Sequence, residues 1–131
     1  MTLTLRDRLI PDVEFHAHPK KDGTLSLKND YSFQVDYSGD NIRCKATLRQ
    51  TSVSRDTPED FSITIEMIGF FECDDLSTDE DKRQAHVMAY NLLFPHLQAF
   101  IRELTVQAGL PPLMISPSPP EAENIKLAPI L

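Results

Sequence analysis

Strict alternation of apolar and polar residues is the feature that most limits the fold of this chain. It runs over residues 31–37, 42–48 and 61–67, with apolar side chains at every second position. Because successive side chains of a strand point to opposite faces, each run predicts a half-buried β-strand. The turn residues Ser38-Gly39-Asp40 join the first two runs into an antiparallel hairpin. A shorter alternating run over residues 13–17 predicts one more strand, at an edge of the sheet.

The end of the last strand departs from this pattern. Ile68, Gly69, Phe70 and Phe71 are consecutive, so apolar side chains fall on both faces there. An isolated glycine inside a strand often marks a β-bulge. We therefore expect a bulge near Gly69 and a sheet that is apolar on both faces at this end.

A long helix is predicted to follow the strands. Ser77 is its expected N-cap, and Gly109 with Pro111 ends it. Pro95 lacks an amide hydrogen and crowds the preceding turn, so we expect a kink or a restart after Phe94. The helix carries a broad apolar stripe at spacings of three and four: Val87, Tyr90, Leu93, Phe94, Leu97, Phe100, Ile101, Leu104 and Ala108.

The C-terminal part of the chain is rich in proline. Five of the ten prolines lie between Pro111 and Pro120, so this stretch is expected to be extended rather than helical. Residues 125–131 are too apolar for a spacer, and we expect them to dock on the domain or on a neighbouring chain. The 131 residues leave room for one hydrophobic core. We therefore divide the chain into a domain of residues 1–117 and a partly extended tail of residues 118–131.

Net charge narrows the classes of partner. Thirteen Lys and Arg stand against twenty Asp and Glu, which gives a formal charge of −7. Repulsion from phosphates and anionic lipids argues against nucleic acid and membrane surfaces as partners. Charges follow soon after the start of the chain, and no apolar run approaches the roughly 18–20 residues that span a bilayer. We therefore expect a cytoplasmic protein without membrane insertion.

The sequence contains no pattern that calls for metal or catalytic chemistry. His16 and His18 share a strand face but lack a third ligand, and His86 and His96 do not form an i, i+4 pair. No Gly-rich phosphate loop or nucleophile motif is present. We expect no metal, no cofactor and no enzymatic activity.

The two cysteines are predicted to be structural. Cys44 falls on the inward side of its alternating strand, where a nucleophile would lack the exposed, electropositive setting it needs. No Cys-x-x-Cys pair occurs. Cys44 and Cys73 are therefore expected to be reduced, half-buried thiols, with Cys44 packed inward.

Two blocks at the ends of the helix are specific enough to compare with known families. Residues 92–97 read Leu-Leu-Phe-Pro-His-Leu, and residues 108–113 read Ala-Gly-Leu-Pro-Pro-Leu. They resemble the SecB family of export chaperones, which has Leu-Phe-Pro-Tyr, a helix, and then Gly-Phe-Pro-Pro-Leu. The step at residues 69–71 resembles the end of that family's fourth strand, and residues 12–15 resemble its first strand. The resemblance extends from residue 10 to residue 117.

This resemblance implies an α+β fold, with a four-stranded antiparallel β-meander packed against the long, Pro-interrupted helix and followed by the Pro-rich tail. It implies an ATP-independent chaperone that dimerises, often as a dimer of dimers, and holds unfolded clients along apolar grooves. The client-binding residues are then expected to be Phe33, Val35, Tyr37, Phe70 and Phe71. The oligomer interface is expected to use Tyr90, Phe94, Leu97, Ile101 and Leu104.

The chain departs from the family pattern at two functional places. Past the final proline the family continues with a second helix along the groove, whereas this chain has Ser-Pro-Pro-Glu at residues 118–121, so that helix is expected to be missing. Export chaperones dock the SecA motor through acidic positions on the sheet. Asp12 matches one of them, but His16 stands where a Glu is expected and Thr64 replaces another. Relatives that protect an antitoxin, with one favoured client, are therefore the better comparison.

Two functions from different classes fit these features. The first is a holdase that binds unfolded or extended polypeptide, either for export or to protect a specific client. The alternative is a non-catalytic adaptor or assembly subunit whose helix face and tail attach to one folded partner. A homodimer or homotetramer is expected in both cases, because a small domain with surplus apolar surface tends to associate.

Overall fold

The computed structural model describes residues 2–18 and 26–125. Within these residues the chain forms four strands, one long helix and a short 3-10 turn. The elements are β1 (Leu3–Ala17), β2 (Leu27–Tyr37), β3 (Arg43–Ser54), β4 (Phe61–Cys73), α1 (Asp79–Gln107) and the turn Ala122–Asn124. The predicted α+β fold with a four-stranded sheet and a long helix is confirmed.

All neighbouring strands of the sheet are antiparallel, in the order β1-β4-β3-β2. Strands β2, β3 and β4 form a meander, while β1 pairs with β4 instead of extending the meander beside β2. The predicted edge position of the first strand is confirmed. The two edges of the sheet are therefore β1 and β2.

Strand β1 is longer than the alternation at residues 13–17 predicts, with 15 residues. Its pairing with β4 shifts register twice, between Leu5 and Asp7 and between Leu9 and Asp12. Each extra residue reverses the face to which the following side chains point. These shifts hide the period of two in the first half of the strand. One of the two bulges lies opposite Phe70 and Phe71, next to Gly69 as predicted, but its extra residue is on β1 and not on the glycine-containing strand β4.

Gly69 has a different role, which is close packing of the helix on the sheet. A Cβ atom at this position would lie 3.0 Å from Leu93 Cδ1 on α1 and 2.9 Å from Phe71 Cε2. Side chains keep alternating on both sides of Gly69, with Met67 and Phe71 facing α1 and Phe70 facing away. The prediction of apolar residues on both faces at this end is confirmed.

The core lies between α1 and one face of the sheet. From α1 it takes Ala85, Ala89, Tyr90, Leu93, Phe94, Leu97 and Ile101, and from β3 and β4 it takes Cys44, Ala46, Leu48, Phe61, Ile63, Ile65, Met67 and Phe71. Fully burying one such large apolar side chain contributes roughly 1.5–3 kcal/mol. Both cysteines are free thiols, as predicted, and both are buried instead of half-buried. Burial raises the pKa of the Cys44 thiol to about 12, so the thiol stays protonated at neutral pH.

The N-cap of the helix lies one residue later than predicted. Thr78 is the N-cap, and its Oγ1 accepts a hydrogen bond from the Asp81 amide at 3.0 Å. Asp79, Glu80 and Asp81 fill the first turn, where the helix dipole favours negative charge. Ser77 lies just outside the helix, so its assignment as the cap was wrong by one position.

The helix runs through Pro95 without interruption for 29 residues, so the predicted restart after Phe94 is wrong. Pro95 is exposed, while Leu93, Phe94 and Leu97 around it are buried against the sheet. Packing on both sides of the proline holds the chain in the helix, because the buried contacts outweigh one lost hydrogen bond. The predicted end of the helix is confirmed, with Gly109 at φ 81° just beyond Gln107. None of the described helices combines the length and apolar character needed to cross a membrane.

Candidate binding surface

The most prominent apolar feature outside the closed core is a row of side chains on β2 that faces α1. We call Tyr31, Phe33, Val35 and Tyr37 the β2 row. All four are half-buried, because β2 is an edge strand and the helix covers only one side of them. Three predicted client-binding residues, Phe33, Val35 and Tyr37, therefore lie together on one surface.

Aromatic contacts connect the β2 row to the helix. The Phe33 ring lies edge-on to His86 at 5.0 Å between centroids and to Tyr90 at 5.5 Å. Tyr31 also contacts Tyr90, at 5.4 Å, and Tyr90 stacks on Phe94 at the same distance. Such pairs contribute roughly 0.5–1.5 kcal/mol beyond the area they bury. They fix the orientation of the rings along the groove between β2 and α1.

The Tyr37 end of the groove carries polar contacts that further position its rings. The Tyr37 hydroxyl donates a hydrogen bond to the Lys82 carbonyl at 2.7 Å, and Lys82 Nζ lies 5.6 Å from the centre of the Tyr37 ring. Burial lowers the pKa of His86, which therefore remains neutral around neutral pH. The groove is thus an aromatic surface with a neutral His86 along it and the Lys82 ammonium at its Tyr37 end.

The proline-rich segment that follows α1 runs back along the helix next to this groove. We call residues 113–118 the strap. The Leu113 amide donates to Thr105 Oγ1 at 3.0 Å, Gln98 Nε2 donates to the Ile115 carbonyl at 2.7 Å, and the Ser118 amide donates to the Tyr90 hydroxyl at 2.9 Å. The chain therefore runs antiparallel to α1. The predicted extended conformation is confirmed over the strap, which contains no helix.

The strap joins α1 to the edge strand. The Tyr31 hydroxyl of β2 donates to the Ser118 carbonyl, and Ile115 is buried with 4% of its surface exposed. Further along, Arg83 Nε lies 3.5 Å from the Ile125 carbonyl. Beyond the strap the described chain holds only the three-residue turn Ala122–Asn124, so the expected absence of a second long helix holds through residue 125. The apolar end at residues 126–131 lies outside the described residues.

The other two predicted client-binding residues do not join the β2 row. Phe71 is 2% exposed and belongs to the core under α1, while Phe70 is 36% exposed on the opposite face of the sheet. Neighbouring side chains of a strand cannot share a face. Phe70 lies at the wall of a shallow cavity of about 360 Å³, which Phe71 and Tyr37 of the β2 row also line, together with Arg6 and Lys45.

The predicted oligomer interface also needs correction. Tyr90, Phe94, Leu97 and Ile101 are all 3% exposed or less, because they pack against the sheet of their own chain, and Leu104 is half-buried. The sequence stripe therefore describes the core. Exposed apolar residues of α1 lie elsewhere, at Leu92 and Val106.

Asp12, the position predicted for motor docking, lies on the face of the sheet away from α1. Its Oδ2 is 3.2 Å from Arg49 Nη1, and the same Arg49 atom lies 3.8 Å from Glu66 Oε1. The guanidinium between the two carboxylates offsets part of their negative charge. On the same face, Thr64 is the next position of β4 and pairs with Glu14, while His16 lies one pair further along and is opposite Ser62. Docking through Asp12 stays a prediction.

Sequence reasoning missed the residues that hold the strap. Tyr31 begins the same alternating run as Phe33, so its place on the groove was readable from the period of two. The hydrogen bonds of Gln98, Thr105 and Tyr90 to the strap have no sequence signal, because they join segments that only the folded helix brings side by side. Among the described residues, no cluster of His, Cys, Asp and Glu could hold a metal ion.

Comparison with known proteins adds independent information. Residues 13–119 match the family model described as preprotein translocase subunit SecB. An uncharacterised protein of Methanocaldococcus jannaschii is 23% identical over 122 residues, which cover 88% of this chain and 77% of that protein.

Solved structures share the fold. The SecB-like chaperone Rv1957 of Mycobacterium tuberculosis, in complex with a ChAD peptide from the HigA1 antitoxin, matches with a TM-score of 0.71 at 19% identity. The match covers 88% of this chain and 90% of that one. A protein of unknown function from Streptococcus agalactiae matches with a TM-score of 0.51 at 15% identity, covering 88% of this chain and 98% of the other.

Proposed function

The chain belongs to the SecB family, and we propose that it is an ATP-independent holdase that binds extended segments of unfolded polypeptide along the groove between β2 and α1. Membership in this family of non-enzymatic chaperones agrees with the prediction that the chain is not an enzyme. The observation that carries the proposal is the β2 row. It is an aromatic surface on an open edge strand, held in place by His86 and Tyr90.

The physical basis is burial of apolar surface with little demand on client sequence. A client strand lying along β2 covers the exposed halves of the row and can also pair with main-chain groups of β2, which has no neighbouring strand on that side among the described residues. Burial of about 1,000 Å² of apolar surface yields roughly 25 kcal/mol, most of which is offset by the entropy lost on ordering the client. The remainder is sufficient for binding in the micromolar range or tighter.

The proposed client is one specific protein of the antitoxin type. The fold neighbour from M. tuberculosis was solved with an antitoxin peptide, which supports this choice by analogy. Arg49 offsets the charge of Asp12 on the face where export chaperones use acidic residues, and that arrangement weakens the case for SecA as a partner. Protein export is therefore the less favoured role.

We also propose that the chain forms a homodimer or homotetramer through the back of α1. Leu92, Ala99 and Val106 recur at spacings of seven, which places them on one side of the helix, next to the half-buried Met88. Leu92 is 39% exposed and Val106 is 45% exposed, so this stripe remains available after α1 has packed on its own sheet. A second copy of α1 would cover it by helix packing.

Suppression of aggregation tests the holdase function. A chemically denatured model protein is diluted into buffer with increasing amounts of the chain, and light scattering is followed without ATP. The expected result is a fall in scattering at near-stoichiometric ratios. Undiminished scattering, together with stable co-purification of one folded protein, would reject the holdase in favour of the adaptor.

A further inference from the structure

A cavity of about 500 Å³ lies beneath the strap, next to the β2 row. Its walls include Asn29 and Tyr31 of β2, Gln50 of β3 and strap residues 114–118. The cavity is open to solvent, and Met114 at its wall is 57% exposed. The cavity shares Tyr31 with the β2 row, but its walls also carry polar groups that the aromatic groove does not explain.

Gln50 is the unusual residue of this cavity. It faces α1 from a central strand, in register with Tyr31 on one side and Ile65 on the other, and it is only 3% exposed. Its side-chain amide makes no hydrogen bond to any described residue, whereas the neighbouring Ser52 hydroxyl donates to Asn29 Oδ1.

The cavity gives the Gln50 amide access to a partner. In the described part of the chain, no side-chain nitrogen or oxygen is both fully enclosed and without a hydrogen bond, so the amide keeps a small accessible area. Gln50 lines the cavity, and the cavity therefore supplies that access. A nearly buried polar group needs a partner to offset its lost hydration, and a client group entering here can take that place.

We propose that this cavity is a subsite for the side-chain amide of an Asn or Gln residue in a bound client segment. The inference rests on the proposed holdase function and adds a polar preference to it. A primary amide carries one acceptor and two donor hydrogens, and Gln50 offers the complementary groups for two parallel hydrogen bonds. Asn29 adds a donor, because its Oδ1 already accepts from Ser52 and its Nδ2 hydrogens remain.

Other side chains fit this site less well. No Lys or Arg is among the cavity-lining residues, whereas Asp30 is, so a carboxylate finds repulsion instead of a counter-charge. An ammonium group can reach acceptors but leaves the amide hydrogens of Gln50 and Asn29 without one. An aliphatic side chain displaces water from the space and leaves the Gln50 amide without any partner. The amide side chain satisfies both hydrogen-bonding halves of Gln50.

Peptide binding to the full chain tests the subsite. The probes are fluorescein-labelled peptides of alternating Leu and Ser, in which one Ser at a time is replaced by Gln, Glu or Lys, and the dissociation constant is measured by fluorescence anisotropy. At the position that reaches the cavity, the Gln peptide is expected to bind roughly 3- to 10-fold more tightly than the Ser parent. This difference should vanish in the Gln50→Leu variant.

Gln34→Leu is the matched control, because Gln34 lies on the solvent face of β2 and hydrogen-bonds to Asp36. It should keep the preference for the Gln peptide. Urea unfolding of Gln50→Leu establishes that the variant is folded, and it should be at least as stable as the unmodified chain, since it loses no hydrogen bond within the described chain. If Gln50→Leu does not fold, Gln50→Met is used in its place.

The outcomes separate the subsite from the holdase function. Three outcomes would each overturn the subsite. The first is equal binding of the Gln and Ser peptides at every position, the second is a preference for Gln that survives in Gln50→Leu, and the third is tighter binding of the Glu or Lys peptide. Binding of none of the peptides, the Ser parent included, rejects the proposed function itself.

Discussion

Phe33 and Phe70 are aromatic residues of the same sheet in different surroundings. Phe33 is half-buried on the helix side of β2, with His86 and Tyr90 against its ring. Phe70 is 36% exposed on the other face of β4. If clients bind between β2 and α1, only the first ring is in contact with them.

This difference gives a prediction at the level of single residues. Phe33→Ala should weaken the binding of an unfolded client by about 10-fold or more, because the variant removes a large apolar contact of roughly 1.5–3 kcal/mol. Phe70→Ala carries the same chemical change on the opposite face and should leave the dissociation constant unaltered. Titration of a labelled unfolded protein measures both. Equal losses in the two variants would place client binding outside the groove.

Gly69 gives a second residue-level prediction, about stability. In Gly69→Ala the new methyl group would meet Phe71, Leu93 and Leu5 at 2.9, 3.0 and 3.2 Å, so these side chains must move. The free energy of unfolding should fall by about 1–3 kcal/mol, the usual cost of overpacking a core. Gly39→Ala is the control, since the position that its methyl group would take is open for 4 Å around. Urea unfolding that shows the same stability for both variants would contradict the proposed packing role.

At the scale of elements, the strap is held mainly by side-chain hydroxyls and amides. Tyr90 connects it to α1 and Tyr31 connects it to β2, both through Ser118. Its backbone makes no ladder of hydrogen bonds with the sheet in the described part of the chain. The strap therefore depends on a few polar contacts and on the burial of Ile115.

Tyr90→Phe should loosen this attachment while keeping the stacked ring. The Ser118 amide loses its acceptor, so its hydrogen exchange should become at least about 5-fold faster, which corresponds to one ordinary hydrogen bond. Tyr37→Phe removes a comparable hydroxyl, bonded to Lys82 instead of the strap, and should leave the Ser118 amide protected. Unchanged exchange in Tyr90→Phe would show that other contacts hold the strap.

The elements themselves differ in how far they could be predicted. Strands β2, β3 and β4 were readable because each keeps one face towards the helix and therefore one period. In β1 two bulges reverse the alternation of apolar and polar residues. The positions of these bulges depend on the pairing with β4, which the sequence of β1 alone does not reveal. The continuity of α1 through Pro95 depends on the burial of Leu93 and Leu97 in the core. Helix propensity, which is a property of neighbouring residues, does not include such contacts.

At the scale of the whole molecule, α1 has two apolar sides with different tasks. One is buried against the sheet, and the other carries Leu92 and Val106 towards solvent. A sequence stripe alone does not distinguish them, because both are apolar at helical spacing. A charge introduced on the solvent side is nevertheless expected to affect assembly, whereas a charge introduced on the sheet side is expected to affect the stability of the monomer.

Leu92→Asp should dissociate the proposed oligomer into folded monomers, because it places a charge in the helix interface. Leu97→Asp should instead destabilise the monomer by about 4 kcal/mol or more, since Leu97 has no exposed surface within its own chain. Sedimentation velocity measures assembly, and circular dichroism measures folding. An unchanged oligomer in Leu92→Asp would exclude the back of α1 as the interface.

By itself the sequence determined strands β2, β3 and β4, the presence of the long helix and where it ends, the extended strap and the family to which the chain is compared. These properties follow from periodicity, turn residues and short motifs, which act over neighbouring residues. Only the tertiary structure decided which aromatic residues share the groove, which apolar residues of α1 remain exposed, and that Gln50 faces a cavity beneath the strap. Those properties depend on which face of each element is covered, and coverage is set by contacts between segments that are far apart in the chain.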